Sequence, residues 1–176
     1  MSQPQHVIGL DDLSDELLAD VLELSTRLKG RPGRNELAGR SLGMLFFRGS
    51  LRTRMSFEAA VHQLGGHTMN LTAMSDFWEL EEREGSVMDG RAPEHVRDAA
   101  AVLSHYVDAL AIRPAIEGQS WQEDRRDRRI RTWAKYASVP VINMESALSH
   151  PLQSLADLLT LQESLGSLAG EKLAIV

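Results

Sequence analysis

The sequence predicts an α/β domain, a parallel sheet of about four strands flanked by helices. Two observations carry the prediction. Short apolar runs that read as buried strands alternate with segments of helical apolar spacing. The connections between them are mostly short, as βαβ units require. A chain of 176 residues is long enough for one substantial core, so one domain is the default.

Each element has its own warrant. Residues 11–29 read as an amphipathic helix with Leu13, Leu17, Leu18, Val21, Leu22 and Leu28 on its apolar side. Asp11, Asp12 and Ser14 are candidate caps, and Gly30 is a natural stop. Residues 31–39, with Pro32 and Gly33, read as a polar loop. Strand 42–47 precedes helix 54–64, whose spacing is set by Phe57, Ala60, Val61 and Leu64. Strand 67–71 precedes a long polar loop, and Pro93 then opens helix 94–105, where proline is tolerated. Strand 107–112 precedes helix 120–136, with Trp121, Ile130, Trp133 and Ala134 on its buried side. Strand 139–143 precedes helix 151–165. Residues 166–170 read as a linker, and 172–176 begin another apolar strand. The expected organisation is therefore a domain over 1–166, with 167–176 as a linker and the first strand of a further domain.

Composition narrows the function classes. A net charge of −6 argues against a general nucleic-acid binder, so any anion site must be a local concentration of positive charge. No run of apolar residues is long enough for a membrane span. The first ten residues lack the basic start and apolar core of a secretory signal. The absence of cysteine excludes disulfides and thiolate metal sites and fits a reducing, cytoplasmic compartment. The histidines show no metal-ligand spacing, so no metal is expected. No nucleophile motif and no GxGxxG fingerprint occurs.

Ligands of parallel α/β sheets bind outside the carboxyl ends of the strands. Three segments fall there. The first is Ser50-Leu51-Arg52-Thr53-Arg54, where a strand hands over to a helix. A helix start offers unpaired N–H groups, and arginine adds planar donors that match phosphate or carboxylate oxygens in pairs. The alternative is Ser50 as a capping residue with solvated arginines. The second segment is Arg113, after strand 107–112. The third is Asn143-Met144-Glu145 with Ser149-His150-Pro151-Leu152-Gln153. Together they supply an anion cradle, an imidazole and a side-chain amide, a set suited to a phosphate beside a polarised carbonyl.

Two further segments have competing readings. Loop 72–90 holds Asp76, Phe77, Trp78, Glu79, Glu81, Glu82 and Glu84. It is either a mobile acidic surface loop or a seal in which Trp78 closes a site, on a neighbouring subunit for example. Arg125, Arg126, Arg128, Arg129 and Arg131 are interleaved with Glu123, Asp124 and Asp127. An ion-paired, solvated helix face explains them better than a nucleic-acid patch.

The motifs resemble those of a known family. Ser50-Leu51-Arg52-Thr53-Arg54 resembles the S-x-R-T-R phosphate motif of the aspartate and ornithine carbamoyltransferases. His150-Pro151-Leu152-Gln153-Ser154-Leu155-Ala156-Asp157 resembles their H-P-x-Q-x-L-A-D motif. Phe57-Glu58 and Leu64-Gly65-Gly66-His67 fit the pattern between them. Arg48-Gly49 stands where Asn-Pro is more usual. The resemblance covers nearly the whole chain but only the carbamoyl-phosphate half of a two-domain transferase. Phe77-Trp78, Gly85-Ser86-Val87-Met88-Asp89-Gly90 and Val141-Ile142-Asn143-Met144-Glu145 are similar to the branch acting on N-acylated ornithine. In that branch the acetylornithine enzymes carry glutamate where this chain has Pro93, and the succinylornithine enzymes carry proline. Pro93 therefore favours N-succinylornithine over N-acetylornithine, since a carboxylate there would repel the succinyl carboxylate.

The resemblance implies roles, residue by residue. Ser50, Arg52, Thr53 and the backbone N–H groups from Leu51 to Arg54 would hold the phosphate of carbamoyl phosphate. Arg113, His150 and Thr53 would polarise the carbonyl oxygen, and Gln153 would bind the carbamoyl amino group. Trp78 would reach into an adjacent subunit of a homotrimer. Glu145 and Pro93 would face the N-acylornithine. The side-chain amine would attack the carbonyl carbon and phosphate would leave, giving an acylcitrulline in arginine biosynthesis, with no cofactor. The alternative is a non-catalytic anion-binding or assembly module that keeps the fold. A chain limited to this half is expected to be inactive alone.

Overall fold

Parallel pairing organises the molecule. The computed structural model describes residues 4–29, 35–116, 118 and 120–174. In chain order the strands are β1 (Ser41–Phe46), β2 (His67–Thr72), β3 (Leu80–Glu81), β4 (Glu94–His95), β5 (Ala109–Arg113) and β6 (Val141–Asn143). The helices are α1 (Asp15–Leu28), α2 (Arg52–Gln63), α3 (Val96–Leu103), α4 (Trp121–Asp124), α5 (Arg128–Tyr136) and α6 (Pro151–Leu165). The main sheet has the order β2-β1-β5-β6, and all its pairs are parallel. β3 and β4 form a separate two-stranded parallel ribbon.

The central strands β1 and β5 are buried on both faces, as strands of a parallel sheet with crossover helices should be, while the edge strand β2 is only partly covered. Side chains alternate along β1. Leu45 joins Leu110 and Ile112 of β5 in one core with Val96, Ala100, Ile130 and Trp133 from α3 and α5. Met44 and Phe46 face the other way with Ala111 and Met144, and Phe57 of α2 packs on them. Beyond β6 the N-terminal segment adds a short edge pairing. Val7 bridges Ile142, and the His6 Nδ1 accepts the Val141 N–H at 3.1 Å.

Several boundaries differ from the sequence reading, each for a local reason. Helix 54–64 starts earlier, at Arg52, so the motif residues form its first turn. Strand 107–112 is shifted to Ala109–Arg113, making Arg113 its last residue. Pro93 does not open a helix. Glu94 and His95 pair with Leu80 and Glu81 instead, and the His95 Nδ1 caps the Arg97 N–H so that α3 begins at Val96. The predicted helix 120–136 is two helices broken at Asp127, a non-glycine residue with φ 46°. No apolar residue lies between Trp121 and Ile130 to hold a continuous helix to the core, and Trp121 is exposed rather than buried. Residues 172–174 are not in a strand, and Ile175 and Val176 lie outside the described residues, as do Gly30, Pro32 and Gly33.

The acidic loop is strapped to the arginine-rich helix. Glu82 pairs with Arg129 at 2.5 Å, and Glu84 bonds Lys135 and Tyr136. Arg129 lies over the Phe47 ring at 4.9 Å. Arg83 bonds Glu81 through side chain and backbone and holds its carboxyl down to about 2. Among the described residues no helix is long and apolar enough to cross a membrane.

Burial pushes the His6 imidazole below its ordinary 6.5, against a smaller upward pull from Asp12. Neutral His6 accepts the Val141 N–H, and a proton on Nδ1 would abolish that bond. Its contribution to stability is therefore intact above 6.5 and lost as pH falls through the lowered folded value. Urea denaturation between about pH 8 and 5 should show this step in the wild type and lose it in His6→Ala. Parallel stability curves for the two chains would contradict the linkage.

Candidate active site

The strand order creates the site. After β1 the chain moves to one side to make β2, and it later returns to the other side of β1 to make β5. Loops leaving neighbouring strands in opposite directions open a crevice at the carboxyl edge. Phe46 of β1 and Arg113 of β5 are register partners at that edge. A cleft of about 940 Å³ opens there.

Ser50, Leu51, Arg52 and Thr53 line the cleft from the loop after β1 and the first turn of α2. Leu51, not Ser50, occupies the N-cap position of α2, and no side chain caps the helix. The first-turn N–H groups and their partial positive charge therefore face the cleft without an internal acceptor. Arg52 is exposed and makes no hydrogen bond or ion pair with the described residues. His150, Leu152 and Gln153 line the opposite wall, where α6 begins with Pro151 in its first turn. Two helix starts thus converge on one space.

Arg113 lies at the floor with its side chain 9% exposed. Its Nη1 donates to the Thr53 Oγ1 at 3.1 Å, and its Nη2 pairs with the Glu145 Oε2 at 2.5 Å. Its Nε is buried without a partner. Glu145 reaches Arg48 with its other oxygen at 2.8 Å, and the His150 Nε2 stands 3.7 Å from Oε2. The His150 Nδ1 is also buried without a partner. The Gln153 Nε2 donates to the Asp157 Oδ1 one helical turn on, at 2.8 Å.

The loop from β6 to α6 that carries Glu145 and His150 is held from beneath. The fully buried Asn143 donates to the Ile8 carbonyl and the Ser146 Oγ, each at 2.9 Å. The Ser146 hydroxyl donates to the buried Asp127 Oδ2 at 2.6 Å. The helix break at Asp127 is what delivers that carboxylate. Sequence reading missed Asp127 and Ser146 because the bond joins elements far apart in the chain. It noted Arg48 only as a departure before the motif, with no sign of its pairing to Glu145.

The structure brings together Ser50, Leu51, Arg52, Thr53, Arg113, Glu145, His150 and Gln153. It leaves three candidates outside the cleft. The Arg54 side chain turns back to the Thr72 Oγ1 at 2.8 Å and lies 4.3 Å above the Phe46 ring. Pro93 is exposed on the approach to β4. Trp78 is half exposed, with its Nε1 donating to the Glu94 Oε2 at 3.1 Å beside an apolar recess. No group of three or more metal-ligating side chains occurs among the described residues.

Fold and cleft define an α/β domain with a cation-rich cleft at its topological switch point. Residues 5–163 match the family described as aspartate/ornithine carbamoyltransferase, carbamoyl-P binding domain. The chain belongs to that family. It is 41% identical over 170 residues to N-acetylornithine carbamoyltransferase of Xanthomonas campestris pv. campestris, covering 96% of this chain and 50% of the relative. It is also 41% identical over 172 residues to ornithine carbamoyltransferase of Methanobrevibacter smithii, covering 97% and 50%. The fold superposes on acetylornithine transcarbamylase complexed with acetylcitrulline at TM-score 0.86 and 41% identity, over 94% of this chain and 50% of that one. A glutamate-to-proline mutant of N-acetyl-L-ornithine transcarbamylase, complexed with carbamyl phosphate and N-succinyl-L-norvaline, gives 0.87 at 41% identity over 92% and 48%. The chain spans about half the length of the relatives it matches.

Asn143→Ala would strip donors from the Ile8 carbonyl and Ser146 and loosen the loop. Urea denaturation should register a loss on the order of 1–3 kcal/mol. A cost near zero would show that the loop is held by other contacts.

Proposed function

We propose that this chain is the carbamoyl-phosphate half of a transferase that carbamoylates the side-chain amine of an N-acylated ornithine. The observation that carries the reading is the Thr53–Arg113 bond, which joins the first turn of α2 to the end of β5 inside the cleft. In this reading residues 1–166 are the carbamoyl-phosphate-binding domain, and 167–176 lead towards an amino-acid-binding half.

The chemistry follows from donor placement. The Ser50 hydroxyl, Arg52 and the first-turn N–H groups of α2, through Arg54, hold the phosphate. The Thr53 hydroxyl accepts the Arg113 Nη1–H, so its own proton is free for a substrate oxygen. Arg113, Thr53 and His150 converge on the carbonyl oxygen, and Gln153 takes the carbamoyl amino group. The neutral amine attacks the carbonyl carbon, and a tetrahedral oxyanion forms. The amine's proton passes to the leaving phosphate as the C–N bond forms and the C–O bond to phosphate breaks. Each donor aimed at the developing oxyanion contributes on the order of 10²–10³ in rate. Glu145 faces the acylornithine. Trp78, half exposed here, reaches into an adjacent copy of a homotrimer.

Arg52→Ala should abolish saturable carbamoyl-phosphate binding in calorimetry, with the fold intact by circular dichroism. Undiminished binding in that variant would overturn the phosphate site. The acyl preference rests on the lack of a carboxylate at Pro93, and relatives with a glutamate replaced by proline, valine, serine or alanine, each complexed with N-succinyl-L-norvaline, support it. In the full-length protein, Pro93→Glu should shift kcat/KM from N-succinylornithine towards N-acetylornithine. An unchanged ratio would remove Pro93 from substrate selection.

A further inference from the structure

The cleft already contains an anion of its own. The Glu145 carboxylate lies among cationic donors, with one oxygen on Arg48 at 2.8 Å and the other on Arg113 at 2.5 Å. The second oxygen is also 3.7 Å from the His150 Nε2. Arg113 and His150 are the donors that the carbonyl oxygen of carbamoyl phosphate would need. Burial explains why Arg113 is occupied. Arg113 is nearly excluded from water, and a buried guanidinium needs a paired charge.

Resting on the proposed carbamoyl-phosphate site, we infer that Glu145 is an intramolecular stand-in for the substrate and that Arg48 is the positioning residue that receives it. Carbamoyl phosphate takes the Arg113 donors and the nearby His150, and Glu145 is released from Arg113. Its first oxygen stays on Arg48, so the carboxylate is not expelled into solvent. Released in this way, it lies beside the carbonyl carbon and is available to the incoming amine. Arg48 thus governs how readily Glu145 lets go of Arg113 without touching carbamoyl phosphate itself. The exposures fit a movable arm over a fixed floor: the Glu145 and Arg48 side chains are 26% and 36% exposed, against 9% for Arg113.

Calorimetric titration with carbamoyl phosphate tests this on the wild type, Glu145→Gln, Arg48→Ala and the double variant, with Arg52→Ala as control. Glu145→Gln should bind on the order of tenfold tighter, because one charge-assisted competitor is gone. Arg48→Ala should bind more weakly when Glu145 is present, since the carboxylate then has only Arg113 to rest on. In the Glu145→Gln background, Arg48→Ala should change nothing. The Arg113 Nε–H resonance should shift on Glu145→Gln without ligand, and shift again when carbamoyl phosphate is added to the wild type. Glu145→Ala repeats the test should the glutamine keep a hydrogen bond to arginine. Equal loss from Arg48→Ala in both backgrounds would make Arg48 a direct ligand contact and overturn the inference. Unchanged affinity in Glu145→Gln, with binding lost in Arg52→Ala, would reject the stand-in and leave the phosphate site intact. No binding by any chain, wild type included, would overturn both.

Discussion

A charge buried at a strand end governs this molecule. Arg113 closes β5 in the middle of a parallel sheet, in register with the core residue Phe46. A guanidinium in that position loses most of its water, and the protein must compensate it with oxygen atoms. Thr53 supplies one from the first turn of α2, and Glu145 supplies another from the loop after β6. Three separate stretches of chain are thereby tied to one side chain. The topology makes this possible, because only at the β1/β5 switch do loops diverge far enough to leave room around such a group.

That arrangement needs a fixed loop on the far side, and a polar network provides it. Asn143 anchors the loop to the N-terminal segment, and Ser146 anchors it to Asp127. Asp127 reaches Ser146 because the backbone turns left-handed there and ends one helix before another starts. A continuous helix would have carried that carboxylate elsewhere. Local backbone cost and site geometry are therefore two sides of one choice. The edge pairing of His6 and Val7 belongs to the same structure, since Ile8, next in line, accepts from Asn143.

How much of this was legible in the sequence follows from the range of each interaction. β1, β2 and α6 were readable because apolar runs and the Pro151 start are local signals. The motif residues were readable as one site because strand ends of a parallel sheet share an edge. The Asp127 break was not, because its partner Ser146 is 19 residues away and no local turn signal marks it. The Arg48–Glu145 pair spans 97 residues and was equally hidden. β3 and β4 are two residues each, too short to show any period. Arg54 reads as a member of the motif by chemistry, yet its place in the helical turn directs it to Thr72 and the Phe46 ring.

Charge distribution makes the cleft basic within an acidic protein. Three carboxylates of the long loop are spent on cations outside the site: Glu81 on Arg83, Glu82 on Arg129, and Glu84 on Lys135. The Lys135–Glu84 pair is exposed and individually weak, and the Arg129–Glu82 pair is partly buried, but all of them consume negative charge that would otherwise screen the strand edge. Within the cleft the balance is reversed. Arg52 has no protein anion among the described residues, and Glu145 is shared between two arginines. The two helix starts add partial positive charge that no side chain cancels. An anion entering the cleft would therefore meet a surplus of donors at one point of a repulsive surface. Its capture would depend on that local surplus, with the protein's overall charge working against it.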